Sequence, residues 1–265
     1  MKKLVPILPL LILAACGGQE ARTDVELKPY DFTYRSYAKL LSEFVIDERI
    51  AYASLKEERA GLDTLVETLA SADLSQATAT QKLAFYINAY NILTLRSVID
   101  AYPVESIKDI DGVWDKTHWT VASDKLTLND IEHEILRKKF DEPRIHVAVN
   151  CASIGCPPLL NAPYYPDSVD AQLEFSSRRF ASSSLHNSFD FKESRAQVSA
   201  IFDWFGDDFA ERYYDADRFP GTSKKENASL NFLLMHLELP PGGEDSRVTF
   251  DITYNDYDWS LNDLE

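Results

Sequence analysis

The sequence predicts an α+β fold: a single mixed domain with a buried central helix, a small sheet and surrounding helices. Three observations carry this. Residues 80–102, TQKLAFYINAYNILTLRSVIDAY, place apolar side chains in every direction around a 100° wheel, the mark of a helix enclosed on all sides. Amphipathic helical periods and short strand-like runs alternate along the rest of the chain, with no repeat and no clear linker to divide it. A composition that is 45% apolar and 12% aromatic supplies a real core.

The chain opens MKKLVPILPLLILAACGG. Lys2 and Lys3 precede an apolar run from Leu4 to Leu13, shorter than the ~20 residues that span a bilayer as a helix. Residues 1–15 therefore read as a secretory signal. Leu13-Ala14-Ala15-Cys16 followed by Gly17 resembles the bacterial lipobox. That resemblance implies cleavage before Cys16, lipidation of that cysteine, and an outer-membrane lipoprotein facing the periplasm. Membrane lipid, held through Cys16, is then the first expected partner. Residues 16–30 read as the lipidated tether and residues 31–265 as the globular domain.

Within that domain, Tyr37, Leu40, Leu41, Phe44 and Val45 recur at helical spacing. An extended piece near Ile50–Tyr52 leads to a second helix over 58–72, with Leu62, Leu65, Val66 and Leu69 on one face. The enclosed helix follows and stops at Pro103. It carries Asn88 and Asn91 on one face. Each amide either bonds a neighbouring loop or orients a catalytic group.

Trp119–Val121 and Leu126–Leu128, around Ser123-Asp124-Lys125, predict a hairpin. The next helix, LNDIEHEILRKKF, has the apolar stripe Leu128, Ile131, Ile135, Leu136 and Phe140. On the wheel Glu132 falls inside that stripe, with His133 at its edge. A carboxylate facing a core is costly unless paired. Either an arginine such as Arg96 or Arg144 pairs with Glu132, or Glu132 is a site residue.

Residues 144–150, RIHVAVN, read as a strand buried on both faces. Strand parity would put His146 opposite Cys151 and leave Cys156, beyond a turn, as the better partner for an imidazole. After the Pro157-Pro158 loop, Asp167 or Ser168 starts a helix to Ser182. Two short strands within 189–200, an aromatic cluster over 201–209 read as a core anchor, and a helix over 228–237 follow. A turn at 240–243 and a strand over 248–254 complete the domain.

Charge and motifs exclude several classes. With 43 acidic against 27 basic residues, the net charge of −16 repels phosphate backbones, so no nucleic-acid partner is expected. The chain has 9 glycines and neither a dinucleotide fingerprint nor a P-loop; no cofactor is expected. GxSxG is absent, as are HExxH and paired CxxC motifs. Of 3 cysteines, Cys151 and Cys156 remain if Cys16 carries lipid. In an oxidising envelope a disulfide between them is the first structural reading.

FYINAYNILTL, LTLNDIEHEILR, RIHVAVNCASIGCPP and YDWSLN together resemble the family called domain of unknown function 547. The match runs from Ala79 to Asn262 and falls on Asn88, Asn91, Glu132, His133, His146, Cys151, Cys156 and Pro157. The family includes proteins expected inside cells that share the paired cysteines, which weakens a purely envelope-disulfide explanation for the pair. A relation to papain-like or transglutaminase-like thiol enzymes is an analogy only.

Three functional classes follow. The first is a thiol-dependent hydrolase or acyltransferase acting on envelope peptide or acyl substrates. It takes Cys156 or Cys151 as nucleophile and His133 or His146 as base, with Glu132, Asn88 or Asn150 orienting it. The second is a non-catalytic module with a Cys151–Cys156 disulfide that binds a peptide, glycan or protein partner. The third is a metal site built from the cysteines and a histidine. The first is the leading expectation by a narrow margin over the second.

Overall fold

A computed structural model gives the structure and describes residues 25–238 and 250–264. The signal peptide, Cys16 and the turn at 240–243 lie outside the described residues. The helix Ala79–Ala101 is the centre of the molecule: every residue from Ile87 to Leu95 is buried. Thr78 starts it with a capping box, its hydroxyl accepting from Gln81 N–H while the Gln81 amide accepts from Thr78 N–H.

Before it lie β1 (Lys28–Pro29), α1 (Arg35–Phe44), β2 (Val45–Ile46), β3 (Arg49–Ile50), α2 (Tyr52–Glu57), α3 (Ala60–Ala70) and β4 (Ala72–Asp73); the central helix is α4. β1 pairs with β4 in parallel, and β2 with β3 antiparallel. The predicted apolar faces are the buried ones: Tyr37, Leu40, Leu41 and Phe44 on α1, Leu62, Leu65 and Leu69 on α3. These helices and α4 form the larger core.

The hairpin β5 (Trp119–Val121) and β6 (Asp124–Leu126) turns one step earlier than predicted. Ala122 and Ser123, at φ 48° and 70°, make a two-residue turn, so pairing resumes at Asp124. The next predicted helix forms, but its first stretch, Asp130–Leu136, is a π-helical turn before α5 (Arg137–Lys139). Such widened turns recur at functional sites.

The strand predicted over 144–150 does not form. Pro143–Val147 is a short 3-10 helix with Pro143 in its first turn. Glu142 caps it by accepting from Arg144 N–H, and the same carboxylate holds the buried Arg144 guanidinium at 2.6 Å. A continuous apolar run fits a buried helical turn as well as a buried strand, and here the proline and the cap decide. The parity that separated His146 from Cys151 therefore disappears.

The chain then forms α6 (Val169–Ser182), β7 (Ser188–Asp190), β8 (Arg195–Val198), α7 (Ile201–Trp204), α8 (Gly206–Tyr213), α9 (Lys224–His236) and β9 (Asp251–Tyr254). The largest sheet has three strands in the order β7-β8-β9, antiparallel then parallel. A second apolar cluster, with Phe180, Phe202, Phe209 and Phe232 fully buried, fills the space between α6, α7, α8 and α9. The result is a mixed α+β single domain with small sheets surrounded by helices. No helix among the described residues is long and apolar enough to cross a membrane.

Candidate functional site

The loop after the 3-10 helix is fixed from both sides. Asn91 of α4 accepts from Asn150 N–H at 2.8 Å and donates to the Ala148 carbonyl at 3.1 Å. Asn150 in turn donates to the Pro157 carbonyl and accepts from Ala152 N–H, both at 2.9 Å. On the other side the C-terminal segment zips to the loop: Ile154 N–H donates to Ser260, Gly155 N–H to Asp258, and Asn262 N–H to Ala152. These bonds bring Tyr257 and Trp259 against the cysteine loop.

Cys151 and Cys156 are joined as a disulfide, with Cα atoms 6.2 Å apart. The Tyr257 hydroxyl lies 3.2 Å from each sulfur and 3.1 Å from Ser153 Oγ. Burial pushes the Tyr257 phenol well above its ordinary range, the Ser153 contact opposes this, and Glu132 adds to it.

Beside the disulfide opens a cavity of about 220 Å³. Glu132 and His133 reach it from the π-helical turn, His146 and Val149 from the 3-10 helix and the residues just after it. Tyr90, Trp114, Trp204, Phe205, Tyr257 and Trp259 supply six aromatic rings. Trp259 touches three of them, with centroids 4.6 Å from Tyr257 and 5.9 Å from both Trp114 and Trp204.

Glu132 is 8% exposed, as the wheel required. Neither expected partner pairs with it: Arg96 binds Asp63 and Asp100, and Arg144 binds Glu142 and Asp170. Its neighbour is Tyr90. Burial raises the Tyr90 phenol well above its usual range, and the nearby Glu132 carboxylate raises it further. Trp114, which also lines the cavity, works the other way.

The two histidines face the cavity on a second, charged support. His146 Nε2 donates to Asp208 Oδ2 at 2.7 Å, and its ring stacks on Phe205 at 4.0 Å. Its Nδ1 is buried without a partner. Arg137 grips the same Asp208 and donates to His133 Nδ1 at 3.2 Å, which leaves Nε2–H as the neutral His133 tautomer. Burial raises the Asp208 carboxyl, but hydrogen bonds from Arg137 and His146 outweigh it and hold it well below the usual carboxylate range.

The structure thus brings together Cys151, Cys156, Glu132, His133 and His146. It places Asn88 elsewhere: its amide makes two bonds to the Tyr164 backbone, at 2.8 and 2.9 Å, and does not line the cavity. Sequence reasoning missed Tyr90, Trp114, Trp204, Phe205, Tyr257 and Trp259 as lining groups, and Asp208 as the group that holds Arg137 and His146. The YDWSLN block was a signal for Tyr257 and Trp259. The 201–209 aromatic cluster splits: Phe202 and Phe209 anchor the core, whereas Trp204 and Phe205 face the cavity. Nothing local distinguishes Asp208.

Two expectations are overturned here. Thiol-dependent hydrolysis or acyl transfer requires a free thiolate, and both described cysteines are tied up with each other. The partner expectation, membrane lipid through Cys16 with an envelope substrate, is corrected with it. The described cysteines form an internal disulfide and are free for neither lipid nor thioether attachment. No group of three or more His, Cys, Asp or Glu that could hold a metal ion occurs among the described residues.

Residues 74–181 match the family described as "Protein of unknown function, DUF547", so a domain of that family is present there. It contains the π-helical turn, the 3-10 helix and the disulfide loop. No curated protein and no solved structure matches the chain.

Proposed function

We propose that the DUF547-family domain, completed by α7 and the C-terminal Tyr257–Trp259 segment, is a non-catalytic binding module whose ligand enters the aromatic cavity. One observation carries this reading: the cavity beside the closed disulfide is walled by six aromatic rings and holds few polar groups. Small-molecule sites have this character, apolar walls with a small number of placed polar side chains. Glu132, His133 and His146 serve as recognition groups, and the Cys151–Cys156 bond holds the rim against Tyr257. The volume suits a small molecule or one projecting group of a larger partner. The disulfide, together with the leader-like first fifteen residues, supports residence in an oxidising cell-envelope compartment.

A ligand-observed NMR screen of the full chain against cationic, anionic, sugar-like and aromatic small molecules tests the reading. One chemical class should bind saturably, be recovered unchanged, and lose binding in Trp204→Ala. Trp204 is 46% exposed, so this substitution leaves the melting temperature nearly unchanged. Absence of binding by every class, or binding that survives both Trp204→Ala and Trp259→Ala, would overturn it.

A further inference from the structure

Apart from His133 and His146, the charge inventory of the cavity is one-sided. No lysine or arginine lines it, and Glu132 is its one carboxylate. Glu132 is buried, and among the described residues no cationic side chain approaches it within the 4.0 Å of an ion pair. The neighbouring guanidinium of Arg137 is committed to Asp208 through two bonds of 2.6 and 2.8 Å. A buried carboxylate without a counter-charge is costly. A bound cation would supply what the chain does not.

The walls suit the same charge. Trp204 and Trp259 stack at 21°, while Tyr257 and Trp114 incline to Trp259 by 51° and 72°. Ring faces carry negative potential and attract cations. Two of the cavity's own rings show the attraction: exposed Lys108, outside the cavity, lies 5.1 Å from the Trp259 ring centre, and the Arg137 guanidinium lies 5.1 Å from that of Phe205.

Hydrogen-bond supply selects the kind of cation. A primary ammonium has three N–H donors to satisfy. Glu132 and the Asn129 amide are the side-chain carbonyl acceptors of the lining, which is otherwise mostly rings, sulfur and aliphatic carbon. An alkylated ammonium has no such demand beyond charge and contact. Resting on the cavity being the binding site, we infer that its ligand carries a quaternary ammonium group, seated against Trp259, Trp204 and Tyr257 with Glu132 as counter-charge.

Tryptophan fluorescence titration of the full chain tests this with choline, ethanolamine as the primary ammonium, and neohexyl alcohol, which replaces the ammonium nitrogen of choline by carbon. Choline should bind saturably, and the other two more weakly by roughly tenfold or more. Glu132→Gln should weaken choline and leave the neutral alcohol unchanged. If that variant does not fold, Trp204→Ala should show the loss for choline instead. Equal affinity for choline and the alcohol would overturn the cation while keeping the cavity as a binding site. Tighter ethanolamine, or no choline binding at all, would also overturn it, and the fragment screen judges the site independently. Flotation separates the sources. Choline binding accompanied by capture on phosphatidylcholine but not phosphatidylglycerol vesicles supports a lipid headgroup, and choline binding without capture supports a soluble ligand.

Discussion

Arg137 and Asp208 meet in a two-point ion pair, Nε to Oδ2 at 2.6 Å and Nη2 to Oδ1 at 2.8 Å, across 71 residues of sequence. The same carboxylate also holds His146 Nε2. Asp208→Ala would strip both partners of their acceptor beside the cavity. The expected loss is about 1–3 kcal/mol, since the group is partly buried and leaves hydrogen-bonding atoms unpaired. Asp208→Asn keeps the shape and one acceptor and should lose less. Urea denaturation of the two variants checks the order. Equal stability of the wild type and Asp208→Ala would show that the pair contributes nothing to holding α8 against the 3-10 helix.

Gly155 is needed for a close approach. A Cβ on it would lie 3.0 Å from two ring carbons of Tyr257 and 3.1 Å from Asp258 N. Gly155→Ala therefore has to push the Tyr257 ring or the zipped backbone away from the disulfide. Overpacking of this kind costs about 1–3 kcal/mol. Stability should fall, and any ligand that depends on Tyr257 should bind less tightly than to the wild type. An unchanged melting temperature and unchanged binding would mean that the loop relaxes freely.

The disulfide closes a loop with a sequence separation of 5. So short a loop gives little chain entropy, about 2 kcal/mol on the loop-closure account. Cys151→Ser with Cys156→Ser should lower stability by that order. It should lower binding further, because the sulfurs contact the Tyr257 hydroxyl at the cavity rim. In the wild type, iodoacetamide should label neither residue before reduction and both after it. Rapid labelling of either cysteine in the unreduced chain would contradict the bond.

Much of this fold was legible, because burial on all sides leaves a distinct record in a helix. The central helix, the buried Glu132 and the faces of α1 and α3 all follow from a 3.6-residue period. His146 was misplaced for a physical reason. RIHVAVN is apolar throughout, so periodicity has no polar face to read, and the proline and the Glu142 cap settle its shape instead. The cavity was half legible. Residues brought together by near neighbours, such as Cys151, Cys156, His133 and Glu132, were recognised. Trp204, Asp208 and Tyr257 arrive through pairings 50 or more residues distant, on which local patterns are silent.

His186 supplies a pH dependence of defined sign. It is buried at 3% exposure with its ring 4.8 Å from that of Phe180, and burial pushes it down from 6.5 to about 4, against a smaller upward pull from Glu48. The folded state keeps the ring neutral where the unfolded chain would already take a proton. Its contribution is therefore complete above pH 6.5 and drains away as the pH falls towards 4. A shift of this size corresponds to at most about 3 kcal/mol. Asp208 and Asp170, whose folded values are depressed by their partners, add losses that begin only below the usual carboxylate range near 3.8. Between roughly pH 7.5 and pH 4.5 the histidine should therefore dominate among these groups. Urea unfolding across that window should show a steep fall for the wild type and a shallower one for His186→Gln, which cannot protonate. Because the comparison is of slopes, a constant destabilisation by the substitution does not affect it; parallel curves would mean that His186 is not the group being titrated.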